Sequence, residues 1–252
     1  MADVFDSSTP KQTDDNAQGF IRIKSFGRRS HANVIRLNEL DVLVAIDGLP
    51  VGSDIEKIEE RLKMIDERVL LTLFRGGFFL SVFASENLVC IFEYAPAEIS
   101  EGVASKLKSY EIENPREYRA YEALRNVHRD VFLFEAEYSS FASWIPTLWL
   151  LNYRMWEPLF AVVTTYAICL LIHPLLFVAI YGLIGGYFYK AQTKLIRGYA
   201  LYQENYFWMV LAARSDEEAM TICRQFDPKC QFKFGSSFSE GVKEDSDTPK
   251  AK

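Results

Sequence analysis

The sequence predicts an α+β protein: a small β-rich domain joined by a helix to a transmembrane helical hairpin and a short strand–helix unit. Between residues 19 and 94, apolar and polar side chains alternate in short runs separated by turn signals, which is the pattern of half-buried strands. Further along, no charged side chain occurs between Glu157 and Lys190, and an uncharged apolar run of this length is typical of membrane-spanning helices.

The composition narrows the functional classes. The chain of 252 residues carries a formal net charge of −6 and no basic stripe, which argues against nucleic-acid binding. Residues 1–18 are polar, lack the basic start and apolar core of a secretory signal, and are predicted to be disordered. We therefore expect the domain that follows to remain in the cytoplasm. The polar tail, residues 235–252, is also predicted to be disordered.

The first domain, residues 19–94, is predicted to contain strands and one helix. The segments GFIRIKSF, DVLVAIDG and NLVCIFEY are predicted strands, and RVLLTLFRGGFFLSVF forms two strands joined at its Gly-Gly pair. Asp47-Gly48 is a strong signal for a tight turn. Ser53 and Glu56 form a capping box for the helix. The apolar face of that helix consists of Ile55, Ile58, Leu62 and Ile65.

This order of elements resembles a PDZ domain of the bacterial type. The stretch SHANVIRLNELDVLVAIDGLPV matches the short helix and the following Asp-containing strand of that family, and IEKIEERLKMIDERVLLTLFRGG matches the helix and strand that come next. Arg36 and Leu40 stand where the family has a small residue and a glycine. The resemblance implies a β-rich domain that binds a peptide by adding it as a strand to a sheet edge.

The resemblance also implies a binding groove, whose helix side would be lined by Ile55, Ile58 and Leu62. The alternative is that these three side chains are simply core. The strand and loop that bind a peptide carboxylate in the family should precede Gly19, where the sequence has no apolar strand pattern. We therefore expect a docking surface for a protein partner rather than a receptor for peptide C-termini.

Residues 95–142 are predicted to form a helical connector. Asn114 and Pro115 are typical of a helix start, and the helix is expected to continue through REYRAYEALRNVHRD. His128 is interpreted as a packed or surface histidine, because no cluster of Cys or carboxylates accompanies it. The apolar side of this helix would consist of Tyr118, Tyr121, Leu124 and Val127.

Residues 143–200 are predicted to form an aromatic interfacial segment followed by a transmembrane hairpin. The uncharged run is too long for one upright span, for which about 20 residues suffice, and His173-Pro174 is a natural break because proline interrupts a helix. Arg154 precedes the run and Lys190 follows it, so the positive-inside rule places both flanks in the cytoplasm. These observations favour two spans over a single span, and a soluble core least.

Three glycines, Gly182, Gly185 and Gly186, are predicted to be helix-packing positions, since small residues let membrane helices approach closely. Their partners are either other membrane helices or the hairpin itself.

The segments WIPTLWLLNYRMW and YGLIGGYFYKAQ resemble a family of bacterial inner-membrane domains of unknown function, which implies this topology and no particular chemistry. In residues 201–234, YFWMVLAA is a predicted strand and SDEEAMTICRQF a helix that begins with a capping box at Ser215.

The sequence contains no recognisable motif for catalysis, a cofactor or a metal, and its four cysteines are predicted to be buried thiols. We therefore predict a protein that is not an enzyme. The favoured function is an adaptor or scaffold of the bacterial inner membrane, multi-pass with both termini in the cytoplasm, that binds a protein partner through the PDZ-like domain. The alternative is an accessory or assembly subunit whose hairpin packs against other membrane helices of a complex.

Overall fold

The computed structural model describes residues 19–27, 30–52, 54–65, 67–108, 110, 115–137 and 139–232. It contains two compact units, Met1–Glu117 and Tyr118–Lys252, and both combine strands with helices, which confirms the α+β class. The segments predicted to be disordered, 1–18 and 235–252, lie outside the described residues, as do the predicted cap residues Ser53 and Asn114.

In its described part, the first unit contains the strands and the helix that the sequence predicts, together with two further helices. Its strands are β1 (Ile21–Phe26), β2 (Val42–Ile46), β3 (Leu49–Pro50), β4 (Val69–Arg75), β5 (Phe78–Ala84) and β6 (Cys90–Tyr94). Its helices are α1 (His31–Val34), α2 (Ile55–Lys63) and α3 (Ala97–Leu107), followed by a 3-10 turn at Pro115–Glu117. The strands pair antiparallel in the order β5, β4, β2, β1, β6, and β3 pairs with β2. The strands and the helix predicted for residues 19–94 are thus confirmed.

Two tight turns connect consecutive strands of this unit, as the sequence predicts. Asp47 and Gly48, with φ of 52° and 76°, connect β2 to β3. Gly76 and Gly77, with φ of 56° and 94°, connect β4 to β5. Positive φ at both residues matches the twist of the flanking strands, which explains the Asp-Gly and Gly-Gly pairs. The Asp47 carboxylate also accepts a hydrogen bond from the backbone N–H of Leu70 at 2.9 Å, which ties the first turn to β4.

The loop before β2 is held by a buried ion pair. Arg75 donates hydrogen bonds of 2.7 and 2.6 Å to the two carboxylate oxygens of Asp41, which is 1% exposed. It also donates to the backbone carbonyl of Arg36 at 3.0 Å. Arg36 and Leu40 have φ of 54° and 75°, a left-handed conformation that glycine adopts at lower cost. These strained residues are the two positions at which the PDZ pattern has a small residue and a glycine.

The second unit consists of four strands and five helices in its described part. The strands are β7 (Arg119–Arg125), β8 (Asp130–Glu135), β9 (Tyr206–Ala213) and β10 (Gln231–Phe232), and the helices are α4 (Phe141–Trp144), α5 (Pro146–Asn152), α6 (Trp156–Ile172), α7 (Pro174–Tyr202) and α8 (Asp216–Phe226). The strand order is β10, β8, β7, β9, with only β10 and β8 parallel. The predicted strand and helix of residues 201–234 are confirmed as β9 and α8, and Ser215 caps α8 by accepting from the N–H of Glu218 at 3.2 Å.

The helix predicted through REYRAYEALRNVHRD is wrong, because this segment forms β7, a turn and β8. Residues 121–124 of β7 are all buried, so both faces of the strand are covered. A strand covered on both faces loses the alternation of a half-buried strand, and its apolar residues then imitate helical spacing. The side-chain oxygen of Asn126 closes the turn by accepting from the N–H groups of His128 and Asp130 at 2.9 Å each. His128 itself is an exposed turn residue.

Helices cover both faces of the strands in the second unit. Ala123 and Leu124 are adjacent in β7 and therefore face opposite sides. On the Ala123 side, the thiol of Cys223 in α8 lies 3.8 Å from the sulfur of Met209, the residue paired with Ala123. On the Leu124 side, α7 contributes Phe188 to the core cluster that contains Leu124. This second face is where the helical hairpin is attached.

Candidate functional site

α6 and α7 form an antiparallel helical hairpin with its turn at His173-Pro174, the position predicted from the sequence. Near the turn, the ring centres of Tyr166 and Phe177 are 5.7 Å apart. At the open end, the hydroxyl of Tyr199 donates a hydrogen bond to Glu157 at 2.9 Å. Contacts between residues so far apart in sequence show that the two helices run side by side in opposite directions along much of their length.

The distal half of the hairpin, which we define as residues 160–187, has an apolar and solvent-exposed surface. No charged side chain occurs in it. Its exposed large apolar residues are Phe160, Val163, Ile168, Leu170, Leu171, Ile172, Leu175, Leu176, Val178, Leu183 and Tyr187. Exposure is greatest at the turn, where Leu171 is 87% and Leu175 is 72% exposed. Nothing within the second unit's described residues covers this surface.

The base of the hairpin, residues 188–200, has instead one buried face, which consists of Phe188, Gln192, Ile196 and Ala200. Phe188, Ile196 and Ala200 belong to the core cluster of the second unit. Arg197 donates to both carboxylate oxygens of Glu122 in β7, with one bond of 2.7 Å to Oε2 and a second to Oε1. Glu122 is only 4% exposed, so Arg197 is a close partner for a carboxylate that is removed from water. The ion pair fixes the base of α7 to the sheet.

A short helical bracket, residues 139–152, runs along the hairpin and returns. It starts where the backbone N–H of Ser139 donates to the side chain of Gln192 at 3.0 Å. It also contacts the distal half, where the hydroxyl of Tyr181 donates a hydrogen bond to the carbonyl of Trp144. Trp149 then packs edge-on against Phe188, with ring centres 5.5 Å apart, so the bracket descends to the base. Its outward side is apolar as well and consists of Phe141, Trp144, Ile145, Leu148 and Leu151.

The three predicted packing glycines have different surroundings. A Cβ atom at Gly185 would lie 2.6 Å from the carbonyl oxygen of Ser143, so this glycine lets the bracket approach α7. A Cβ atom at Gly182 or Gly186 would meet no other element within 4 Å among the residues that the structure describes. Gly185 therefore serves contact within the chain, whereas Gly182 and Gly186 lie on an open face of the helix.

By length and composition, α7 is the one helix in the described part of the chain that is long and apolar enough to cross a membrane; α6 is apolar but shorter. α7 has 29 residues and α6 has 17. The length of α7 includes the base, which carries Lys190, Lys194 and Arg197 and packs on the sheet. The exposed and uncharged part of α7 is therefore the part that belongs to the distal half.

In the first unit, the three predicted groove residues are not equally accessible. Ile58 and Leu62 are 7% and 2% exposed, as the core alternative expects, and Ile55 is half-buried. The end of α2 lies beside the start of β6, where the N–H of Leu88 donates to the carbonyl of Leu62 at 2.8 Å. In the described strand order β6 is the last strand, and its side chain Ile91 is 56% exposed.

A shallow depression of about 460 Å³ lies near the start of β6 and is lined by Ser30, His31, Ile65, Ser85, Glu86, Asn87 and Val89. His31 lies 3.4 Å from the Glu86 carboxylate through Nδ1. Its Nε2 atom is buried and has no hydrogen-bond partner among the residues that the structure describes. The Glu86 side chain is 75% exposed, and among the described residues that line the depression His31 and Glu86 are the two with titratable side chains.

All four cysteines are buried free thiols, as predicted. Burial raises the pKa of Cys90 to about 11 and that of Cys223 to about 12, so both are protonated and unreactive at neutral pH. Within the described ranges, no three His, Cys, Asp or Glu side chains converge on a point where a metal ion could bind.

Sequence reasoning missed the bracket and the Glu122–Arg197 pair. The Trp and Leu residues of this segment predict an interfacial position, but they do not predict that it folds into short helices packed on the hairpin. Its Pro146 at the first helical turn was a usable signal for a separate short helix. The ion pair joins residues 75 positions apart, and no local pattern predicts it.

A scan against protein-family models gave no match, and a search of curated proteins gave none either.

Proposed function

We propose that this protein is a membrane-anchored adaptor, in which the hairpin holds the protein to a lipid bilayer and the first unit binds a protein partner. The observation that carries this proposal is the exposed, uncharged and apolar distal half of the hairpin. Soluble monomers rarely expose contiguous apolar patches larger than a few hundred Å². Removing one Leu or Ile side chain from water stabilises a protein by about 1.5–3 kcal/mol, so lipid contact at several such residues provides a large driving force.

The charges at the two ends of the apolar run support one orientation. Arg154 lies before α6, and Lys190 follows the distal half in α7, so positive charge flanks both arms at the same end of the hairpin. Positively charged flanks remain on the cytoplasmic side of a bacterial membrane. We therefore propose an inner-membrane location in which both globular units lie on the cytoplasmic face.

The edge of the first unit supports partner binding. β6 pairs with β1 on one side and is the last strand of the described order. Val89 and Ile91 at this edge are 59% and 56% exposed. An exposed edge strand with apolar side chains is a template for adding a strand from another protein, which is the binding mode that the PDZ resemblance implies.

A second candidate function is supported by the two open glycines. Gly182 and Gly186 are four residues apart and lie on one face of α7, where an added Cβ atom would meet no atom of another described element within 4 Å. This is the small-residue spacing at which membrane helices pack closely. In this alternative the protein is an accessory subunit, and the hairpin itself contacts another membrane protein.

Membrane fractionation of cells that make the full chain tests the anchor. We expect the protein to remain with the membrane pellet after an alkaline carbonate wash, because its attachment depends on apolar burial rather than on charge. Recovery in the soluble fraction would contradict the anchor.

Co-purification with the full-length protein separates the two candidates. Under the adaptor proposal, Ile91→Asp abolishes recovery of the partner and Gly182→Leu/Gly186→Leu leaves it unchanged. Under the alternative, the results are reversed. Val127→Asp is a matched control, because Val127 is 78% exposed in the β7–β8 turn and a charge there should affect neither binding mode.

A further inference from the structure

We propose that the hairpin enters only part of the bilayer, with its turn ending inside the hydrocarbon core, and does not emerge on the far side. This inference rests on the proposed membrane anchoring and specifies its depth. At roughly 1.5 Å per residue, α7 rises about 24 Å between Pro174 and Lys190, and α6 rises about 22 Å between Glu157 and Ile172. The hydrocarbon core is about 30 Å thick. The charged base therefore reaches the headgroups before the turn can reach the opposite surface.

The far end of the hairpin lacks the residues that hold a helix at an interface. The turn sequence from 170 to 176 is LLIHPLL, in which His173 is the one polar side chain. Trp, Tyr, Lys and Arg usually mark the point where a membrane helix meets water. At the turn, the exposed side chains include the aliphatic Leu171 and Leu175, which are 87% and 72% exposed. This composition suits acyl chains better than a second headgroup layer.

The turn also satisfies most of its own backbone donors, which lowers the cost of placing it in lipid. The N–H of His173 donates to the carbonyl of Cys169 at 3.0 Å, and the N–H of Phe177 donates to the carbonyl of His173 at 3.2 Å. The imidazole Nδ1 of His173 accepts from the N–H of Leu175 at 3.1 Å, and Pro174 has no N–H. A flexible polar loop, which a water-exposed turn would tolerate, is absent between these two helices.

The bracket provides a second estimate of depth. Trp144 is 76% exposed, and its backbone carbonyl accepts a hydrogen bond from Tyr181 in the distal half. Indole rings prefer the membrane–water interface. With Trp144 at the interface, the turn lies about 10 Å deeper, since seven residues separate Tyr181 from Pro174 at roughly 1.5 Å each. The depth of the turn is thus about 10 Å if Trp144 lies at the interface and about 24 Å if Lys190 does. Both depths are smaller than the thickness of the hydrocarbon core, which is about 30 Å.

Cysteine accessibility in sealed vesicles tests this depth. The full chain carrying His173→Cys is treated with a bulky, membrane-impermeant maleimide in right-side-out and in inverted vesicles. Lys190→Cys is the matched control that identifies the near side, because it should be labelled in one orientation. Leu171→Cys is a second turn variant that keeps the His173 cap, and the unmodified chain measures labelling of the native thiols.

We expect both turn variants to remain unlabelled in both orientations and to become fully labelled after detergent is added. Labelling of the turn variants in the orientation opposite to Lys190→Cys would show a spanning hairpin and overturn the inference, while the anchor would stand. If the proposed anchoring itself fails, the protein will be absent from the vesicles, and the turn variants will be labelled in solution without detergent. The failures of the depth and of the anchor are therefore distinguishable.

Discussion

The two parts of α7 both contain large apolar side chains, but these side chains have opposite surroundings. In the base, Phe188 and Ile196 are 5% and 3% exposed and pack on the sheet of the second unit. In the distal half, Leu175 and Leu183 are 72% and 69% exposed. The same helix is thus a core element along one part of its length and an uncovered surface along the other. The presence of large apolar side chains does not distinguish these roles, whereas the charged residues of the base do, and among them Arg197 pairs with the buried carboxylate of Glu122.

The largest expected effect concerns the attachment of the base. Arg197→Ala leaves the Glu122 carboxylate buried without a partner, which should destabilise the second unit by about 3–5 kcal/mol. Urea unfolding of the full chain in detergent, followed by tryptophan fluorescence, measures this change. Glu122→Leu/Arg197→Met removes both charges and should stay within about 1–2 kcal/mol of the natural protein. Equal losses in the single and the double variant would show that the ion pair does not hold the base.

The adjacent glycines of α7 should respond in opposite directions. Gly185→Ala places a Cβ atom against the Ser143 carbonyl at 2.6 Å and should destabilise the protein by about 1–3 kcal/mol. Gly186→Ala meets no neighbour within 4 Å and should stabilise the helix by up to about 1 kcal/mol. Thermal unfolding of the two variants compares them directly. A shift of the same sign in both would contradict the close approach of the bracket.

The buried thiol of Cys223 in α8 should make the free energy of unfolding of the second unit decrease at alkaline pH. Because burial raises the pKa of Cys223 to about 12 from 9.0, the folded protein retains a proton that the unfolded chain releases above its ordinary pKa. The resulting stability is complete below about pH 9 and decreases as the pH rises toward about 12. Cys223→Ala should lower the free energy of unfolding at neutral pH but flatten its decrease above about pH 9. An unchanged pH dependence in this variant would contradict the assignment.

The smallest expected effect lies in the first unit, far from the hairpin in the sequence. Leu40→Gly relieves a left-handed backbone at φ 75° and should stabilise this unit by up to about 1 kcal/mol. Asn38→Gly is a matched control, since Asn38 does not have a positive φ. Chemical denaturation of both variants provides the measurement, and a destabilising Leu40→Gly would mean that contacts of the leucine side chain outweigh the strain.

Local patterns predicted much of this fold, because the strands and turns of the first unit depend on neighbouring residues. Asp47-Gly48 specified a two-residue turn, and His173-Pro174 specified the break between α6 and α7. The failure occurred at β7, where burial on both faces removed the alternation that identifies a strand. The attachment of the hairpin to the sheet could not be predicted from the sequence either, since Glu122 and Arg197 are far apart in the chain and come into contact only when it folds.

The candidate site was predictable in the same uneven way. The uncharged run identified the apolar hairpin, but the sequence could not show which part of it would be covered. Of the predicted groove residues, Ile58 and Leu62 are buried. The exposed Ile91 lies on β6, a strand that the sequence predicts but to which it assigns no binding function. Periodicity shows that a residue faces something apolar, and only the packing shows whether that neighbour belongs to the same chain.

Vesicle flotation is the most direct test of whether the distal half of the hairpin binds lipid, as we propose. The purified full chain, transferred from detergent into phosphatidylglycerol–phosphatidylethanolamine vesicles, should float with them through a density gradient. Leu171→Asp/Leu175→Asp should abolish flotation, because each charge in hydrocarbon costs about 3 kcal/mol, whereas Val127→Asp should float normally. A natural protein that stays at the bottom of the gradient, or a doubly charged variant that still floats, would contradict the account.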